Sequence, residues 1–192
     1  MPTSSPGRSK SASADVAPAG SIASGGTEYR NSAFAPKMGP VSQVGNTRQA
    51  FARLGVKPDG DADDPSSLRV HDQIARGLPA RALVDMGARL AVLDMTDTLG
   101  PAFGISERTF HRWKKEPPDT PLGPEVSGRL WKFAAILAHA TEVFSTQAAA
   151  ETWLKTPAMA LDRRRPLDLL STPVGVEAVE ELLTRLEYGV YT

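Results

Sequence analysis

The chain has 192 residues, 22 basic and 22 acidic side chains, and no cysteine. Its length allows one or two small domains. The balanced charge excludes a chain-wide attraction to nucleic acid and leaves only local patches, and without thiols there are no disulfides, cysteine-based zinc sites or thiol nucleophile, a composition that suits the cytoplasm.

No apolar run approaches the length of a membrane span, and Arg8 and Lys10 are not followed by the apolar segment of a secretory leader. Neither membrane insertion nor export is expected. Residues 1–46 are dominated by Gly, Ser, Pro and Ala, with Tyr29 and Phe34 as their aromatics. So little apolar surface does not offset the entropy of ordering a chain. The segment reads as a flexible, disordered tail, the alternative being that Tyr29 or Phe34 docks on a neighbouring subunit.

From Thr47 the pattern becomes helical. Gln49 to Leu54 is a short amphipathic piece stopped by Gly55, and an acidic, turn-rich loop follows over Lys57–Asp61. Leu68 to Arg76 predicts a helix with Leu68, Ile74 and Ala75 as its apolar members. Pro79 opens another, with Leu83, Met86, Leu90 and Leu93 three or four residues apart. Thr96 to Lys115 reads as two short helices joined at Gly104-Ile105-Ser106, with Ser106 as the N-cap of the second. Gly123-Pro124-Glu125 begins a long helix whose stripe (Val126, Leu130, Phe133, Leu137, Phe144) is widened by Trp131 and Ile136, as for a helix covered on several sides. Ser145 is expected to cap a shorter helix carrying Trp153 and Leu154. A single turn at Pro166–Leu170 and a last helix from Thr172-Pro173, with Val176, Val179, Leu183 and Leu186 on one face, complete the pattern. Long period-2 alternation is missing, so the expected fold is all-α. Residues 47–118 are expected to form a helix-turn-helix domain and residues 119–192 a small helical domain.

Three features carry chemistry. The second helix of the turn pair holds Arg108, Arg112, Lys114 and Lys115 against the single acid Glu107, with Phe110 and Trp113 as its apolar stripe. A basic helix after a tight turn is the geometry that reads a DNA major groove, and Ser106, Arg108, Thr109, His111, Arg112, Lys114 and Lys115 are the DNA-contact candidates. The alternative is a helical hairpin with a solvated basic face, or one kept only for dimerisation, because Gly100-Pro101 interrupts the first helix of the pair. The run Arg163-Arg164-Arg165 reads as a solvated loop or as a grip on phosphate or carboxylate.

The third feature is the end of the chain, where an amphipathic helix meets Gly189 and then Val190, Tyr191 and Thr192. Tyrosines anchor interfaces at low entropic cost, so Tyr188 and Tyr191 either fold back on Trp131 or Trp153 or fill a pocket on another protein. The last twenty residues hold four acids and one base, a charge that suits a basic cleft built for an anionic ligand. His71, His111 and His139 have no metal-ligand spacing, and no nucleophile–base grouping or phosphate loop is seen, so no catalytic residue, metal or cofactor is assigned.

The order Gly-Ile-Ser-Glu-Arg-Thr at 104–109, Trp-Leu-Lys-Thr-Pro at 153–157, Arg-Pro-Leu-Asp-Leu-Leu at 165–170 and Leu-Glu-Tyr-Gly-Val-Tyr at 186–191 resembles the Xre/MbcA/ParS antitoxin family over residues 68–192. The resemblance implies an antitoxin without enzymatic activity of its own, whose partner is a RES-domain toxin that degrades NAD or transfers ADP-ribose from it. It implies an Xre-like part that dimerises and binds the promoter DNA of its own operon. It also implies a C-terminal segment (Glu187, Tyr188, Gly189, Val190, Tyr191 and Thr192, with Arg185 nearby) that blocks the toxin's NAD site. The rival expectation is a stand-alone helix-turn-helix transcriptional regulator, in which the C-terminus is dispensable.

Overall fold

Pro124 to Phe144 is apolar around most of its circumference, and a helix of that kind must be covered on several sides. In the computed structural model, which describes residues 40–59 and 67–189, it is the central rod. The helices in chain order are α1 (Pro40–Leu54), α2 (Ser67–Arg76), α3 (Ala80–Arg89), α4 (Met95–Thr98), α5 (Glu107–Trp113), α6 (Pro124–Phe144), α7 (Gln147–Lys155), α8 (Pro166–Leu169) and α9 (Pro173–Glu187). A π-helical turn (Leu99–Phe103) continues α4, and a 3-10 turn (Met159–Leu161) precedes α8. Among the described residues there is no strand, only two isolated backbone bridges, Pro79 with Pro121 and Ala158 with Arg164.

The rod α6 packs against α1, α2, α7, α9 and the π-helical turn. Ring pairs fix three of those seams. Phe51 lies 4.5 Å from Trp131, Phe103 meets Phe133 edge-on at 5.1 Å, and Phe144 lies 5.4 Å from Trp153. Such tilted and edge-on pairs stabilise by about 0.5–1.5 kcal/mol beyond their buried area. Leu130, Phe133, Ala134, Ile136 and Leu137 of α6 are fully or almost fully buried with Leu54, Leu83, Met86, Leu154, Val179 and Leu183 from its neighbours.

Several expectations change in the folded chain. α1 starts at Pro40 rather than Thr47, and proline suits a first helical turn because its missing N–H would have no partner there. In α2 it is Val70 that turns inward, while Leu68 is 74 % exposed. α3 ends at Arg89, so Leu90 and Leu93 do not continue its stripe; Leu93 reaches the core from the following loop. Ser145 does not cap α7. It ends α6 in the left-handed region at φ 65°, and the hydroxyl of Thr146 caps α7 by accepting from the Ala149 N–H.

The loop between α3 and α4 is held by one buried carboxylate. The backbone N–H groups of Ala91, Val92 and Leu93 all donate to Oε2 of Glu151, at 2.8, 2.5 and 3.0 Å. Its other oxygen accepts from Gln147 Nε2 at 2.7 Å, and Gln147 also donates to the Arg89 carbonyl. The Gln147 carbonyl accepts from Arg53 of α1 at 2.8 Å. Burial lowers the pKa of the Arg53 guanidinium, opposed by the nearby charges of Glu151 and Glu142. A carboxylate can enter the core only when its lone pairs are taken up, and here α7 reaches across to fix the segment that launches α4.

Candidate DNA-reading helix and partner-binding end

The corner before α5 follows from Gly100-Pro101. Proline has no N–H for the helical ladder, and the chain responds by widening into a π-helical turn over Leu99–Phe103. Gly104 then adopts φ 67°, and the Gly104 and Ile105 N–H groups close the turn on the carbonyls of Gly100 and Leu99, at 3.0 and 3.1 Å. The interruption is therefore absorbed inside the first helix of the pair, and the corner survives it. Ser106 Oγ accepts from the Thr109 N–H at 3.2 Å and lies 3.0 Å from the Thr109 hydroxyl, so these two candidates begin the helix and are occupied with each other.

Phe110 is buried and Trp113 half-buried, which turns the opposite face of α5 outward. Arg108, Thr109, His111, Arg112 and Lys115 line one shallow concavity on that face. Lys114 instead lies over the Phe110 ring at 5.1 Å, and Arg112 reaches over the Trp113 ring at 5.4 Å. Ser106 and Lys114 thus stand at the edges, with the other five candidates together. The segment after α5 is tied to the start of α3. Ala80 N–H donates to Thr120 O, Leu122 N–H donates to Leu78 O, and the buried Ser127 hydroxyl accepts from Leu78 N–H.

At the other end, Thr172 caps α9 by accepting from the Gly175 N–H, and Gly189 terminates it at φ 66° with its N–H on Leu186 O. Glu187 lies 3.1 Å from His139 Nε2 of α6, and Lys132 and Glu180 form a second link between the same helices at 3.1 Å. Arg185 pairs with Glu181 on its own helix. Glu187 and Arg185 are therefore engaged at home, in holding and decorating α9. Tyr188 is 54 % exposed. Phe51 packs against Trp131 and Phe144 against Trp153. A Cβ at Gly189 would meet nothing within 4 Å among the described residues. Val190, Tyr191 and Thr192 lie outside the described residues, as do Tyr29 and Phe34.

Comparison with known proteins joins these two regions. A model of the antitoxin Xre-like helix-turn-helix domain matches residues 69–135, and a model of the antitoxin Xre/MbcA/ParS C-terminal toxin-binding domain matches residues 139–189. The chain belongs to the Xre/MbcA/ParS antitoxin family. Among its relatives, a protein of Yersinia enterocolitica named antitoxin Xre is 35% identical over 92 residues, covering 47% of this chain and 61% of that protein. A protein of the same name from Pseudomonas putida is 29% identical over 125 residues, covering 65% of this chain and 74% of that protein. The chain thus spans less than two thirds of the first relative's length. The family's helix-turn-helix match contains α5 and its concavity, and its toxin-binding match contains α9 and Tyr188.

Sequence reasoning missed Glu151. The signal was present: on α7, Glu151 sits on the stripe formed by Gln147, Ala150 and Leu154, an apolar face where an unpaired carboxylate would be too costly. Among the described residues no group of three or more His, Asp or Glu side chains is placed to hold a metal ion, and no helix is long and apolar enough to cross a membrane.

Proposed function

We propose that this chain is the antitoxin of a type II module and neutralises a RES-domain toxin by inserting its C-terminal segment into the toxin's NAD site. The observation that carries the reading is the state of Tyr188. It ends a helix pinned to α6 by Glu187–His139 and Glu180–Lys132, it is 54 % exposed, and it lies within the toxin-binding match. A rigid stalk with an aromatic tip loses little further entropy on docking. The acidic α9 (Glu177, Glu180, Glu181, Glu187) is complementary to a cleft that accepts a dinucleotide. The antitoxin itself has no enzymatic role in this reading and acts in the cytoplasm.

The basic face of α5 supports a second task within the same reading, contact with promoter DNA by a homodimer. Arg108, Arg112 and Lys115 supply phosphate and base contacts, and the Ser106–Thr109 cap sets the helix start. Removing Tyr188–Thr192 tests the main claim. The shortened chain is expected to keep its helicity and melting temperature and to lose protection in an NAD-consumption assay with the toxin. Full protection by the shortened chain would overturn the plug. A stand-alone regulator predicts the same operator affinity with or without a toxin partner and no effect of the truncation in cells.

A further inference from the structure

The arginine run at 163–165 is not used by either task above. It lies in a tight loop between the 3-10 turn and α8. Ala158 N–H donates to Arg164 O at 3.1 Å, Arg163 N–H donates to Ala158 O at 3.0 Å, and Arg164 N–H donates to Leu161 O at 3.0 Å. Leu161 is buried beneath it. Arg165 leaves the loop through a two-pronged contact with Asp168, Nε to Oδ2 at 2.8 Å and Nη2 to Oδ1 at 2.7 Å. That hydrogen bond, helped by the charge of Asp168 and more remotely of Asp97, raises the Arg165 pKa. Arg165 is thereby used to start α8. Arg163 and Arg164 are exposed, and among the described residues their side chains form no ion pair.

Two consecutive residues, Asp162 at φ 53° and Arg163 at φ 59°, sit in the left-handed region. Aspartate visits that region at modest cost, but an arginine there is strained unless the surroundings impose it. Glycine would fit without strain. Beside this bend Met159 is 76 % exposed. Of the large apolar side chains most exposed among the described residues (Leu68, Met159, Val174, Tyr188), three fall within the toxin-binding match, and Met159 is the one that shares a hydrogen-bonded loop with Arg163 and Arg164. An apolar side chain exposed on a strained, hydrogen-bonded loop that also carries two exposed cations is pre-organised for a protein surface rather than for a phosphate chain.

Resting on the antitoxin reading, we infer that the Met159–Arg164 loop is a second toxin contact, recognising an acidic patch that surrounds an apolar pocket away from the NAD site. The plug presents acid and aromatic to a basic cleft; the loop presents the opposite charge. Together they fix the orientation in which the plug enters, which one short segment cannot do alone.

The test is calorimetric titration of the full-length chain and its variants into the cognate toxin at low and high salt, with operator DNA binding and thermal melting measured in parallel. Met159→Glu is expected to weaken toxin binding at least about tenfold, with Met159→Leu close to wild type. Arg163→Gly separates recognition from folding: it relieves the left-handed strain, so the melting temperature stays level or rises, while toxin affinity falls about tenfold and loses part of its salt dependence. Unchanged toxin affinity in both Met159→Glu and Arg163→Gly overturns the inference. So does a loss confined to DNA binding, which would make the loop a phosphate contact. A wild-type chain that binds no toxin removes the antitoxin reading and this inference with it. Binding that survives truncation at Tyr188 but is weakened by the loop variants rejects only the plug.

Discussion

Glu151→Ala is the most exacting test of how this chain is assembled. In the native protein one oxygen of Glu151 accepts from three backbone N–H groups and the other from Gln147. Each buried donor left without a partner costs about 1–3 kcal/mol, although water entering the vacated space recovers part of it. With three main-chain donors and one amide released, the loss should be about 3–5 kcal/mol, the range expected when one member of a buried charged cluster is removed. For a folded body of this size that corresponds to a fall in melting temperature of roughly 6–20 °C. Glu151→Gln keeps one carbonyl for the backbone but turns an NH2 toward Gln147, and should cost about 1–2 kcal/mol. Thermal melting followed by circular dichroism measures both, and amide exchange at Ala91, Val92 and Leu93 reports the local release. A melting temperature for Glu151→Ala within about 2 °C of wild type, with those three amides still protected, would refute the reasoning.

Other outcomes follow from the same contacts. Gly175→Ala places a Cβ 2.1 Å from the backbone oxygen of Leu169. Neither wall is a flexible side chain, so α9 must shift at a cost of about 3 kcal/mol, read as a lowered denaturation midpoint and weaker toxin binding without change to any proposed contact residue. Arg112→Ala and Lys115→Ala on the open face of α5 should leave the melting temperature within about 2 °C, and each should lower the slope of log operator affinity against log salt by about one. An unchanged slope in both variants would remove α5 from the DNA interface. Gly104→Ala forces a left-handed alanine toward the Arg129 guanidinium, which can swing aside; denaturant unfolding should show a loss of about 1 kcal/mol, mostly from the backbone.

The helices were legible where a single local device decides them. Ser106 and Thr172 carry their caps, Pro124 and Pro173 stand in first turns, and Gly77, Gly104 and Gly189 are left-handed stops. The motif Arg-Pro-Leu-Asp reads as a physical unit: Arg165 forks onto Asp168, Pro166 begins α8 and Leu167 is buried. Failures came where tertiary contacts override spacing. Leu90 and Leu93 fit a helical period, but three N–H groups of that stretch are captured by Glu151, far along the chain, and the helix stops. Gly100-Pro101 looked like damage to the corner, because sequence rules price a proline against an α-helix and not against a π-helical turn. Of the partner-binding candidates, spacing alone gave no hint that Glu187 would meet His139, since the two residues sit on different helices.

The two family matches meet within α6, with residue 135 ending one and residue 139 beginning the other. A severed α6 would leave each portion with half a rod and an open wall of Phe, Ile and Leu. The helix-turn-helix and toxin-binding portions therefore cannot be exchanged as separate cassettes; a recombinant swap has to carry the entire shared spine.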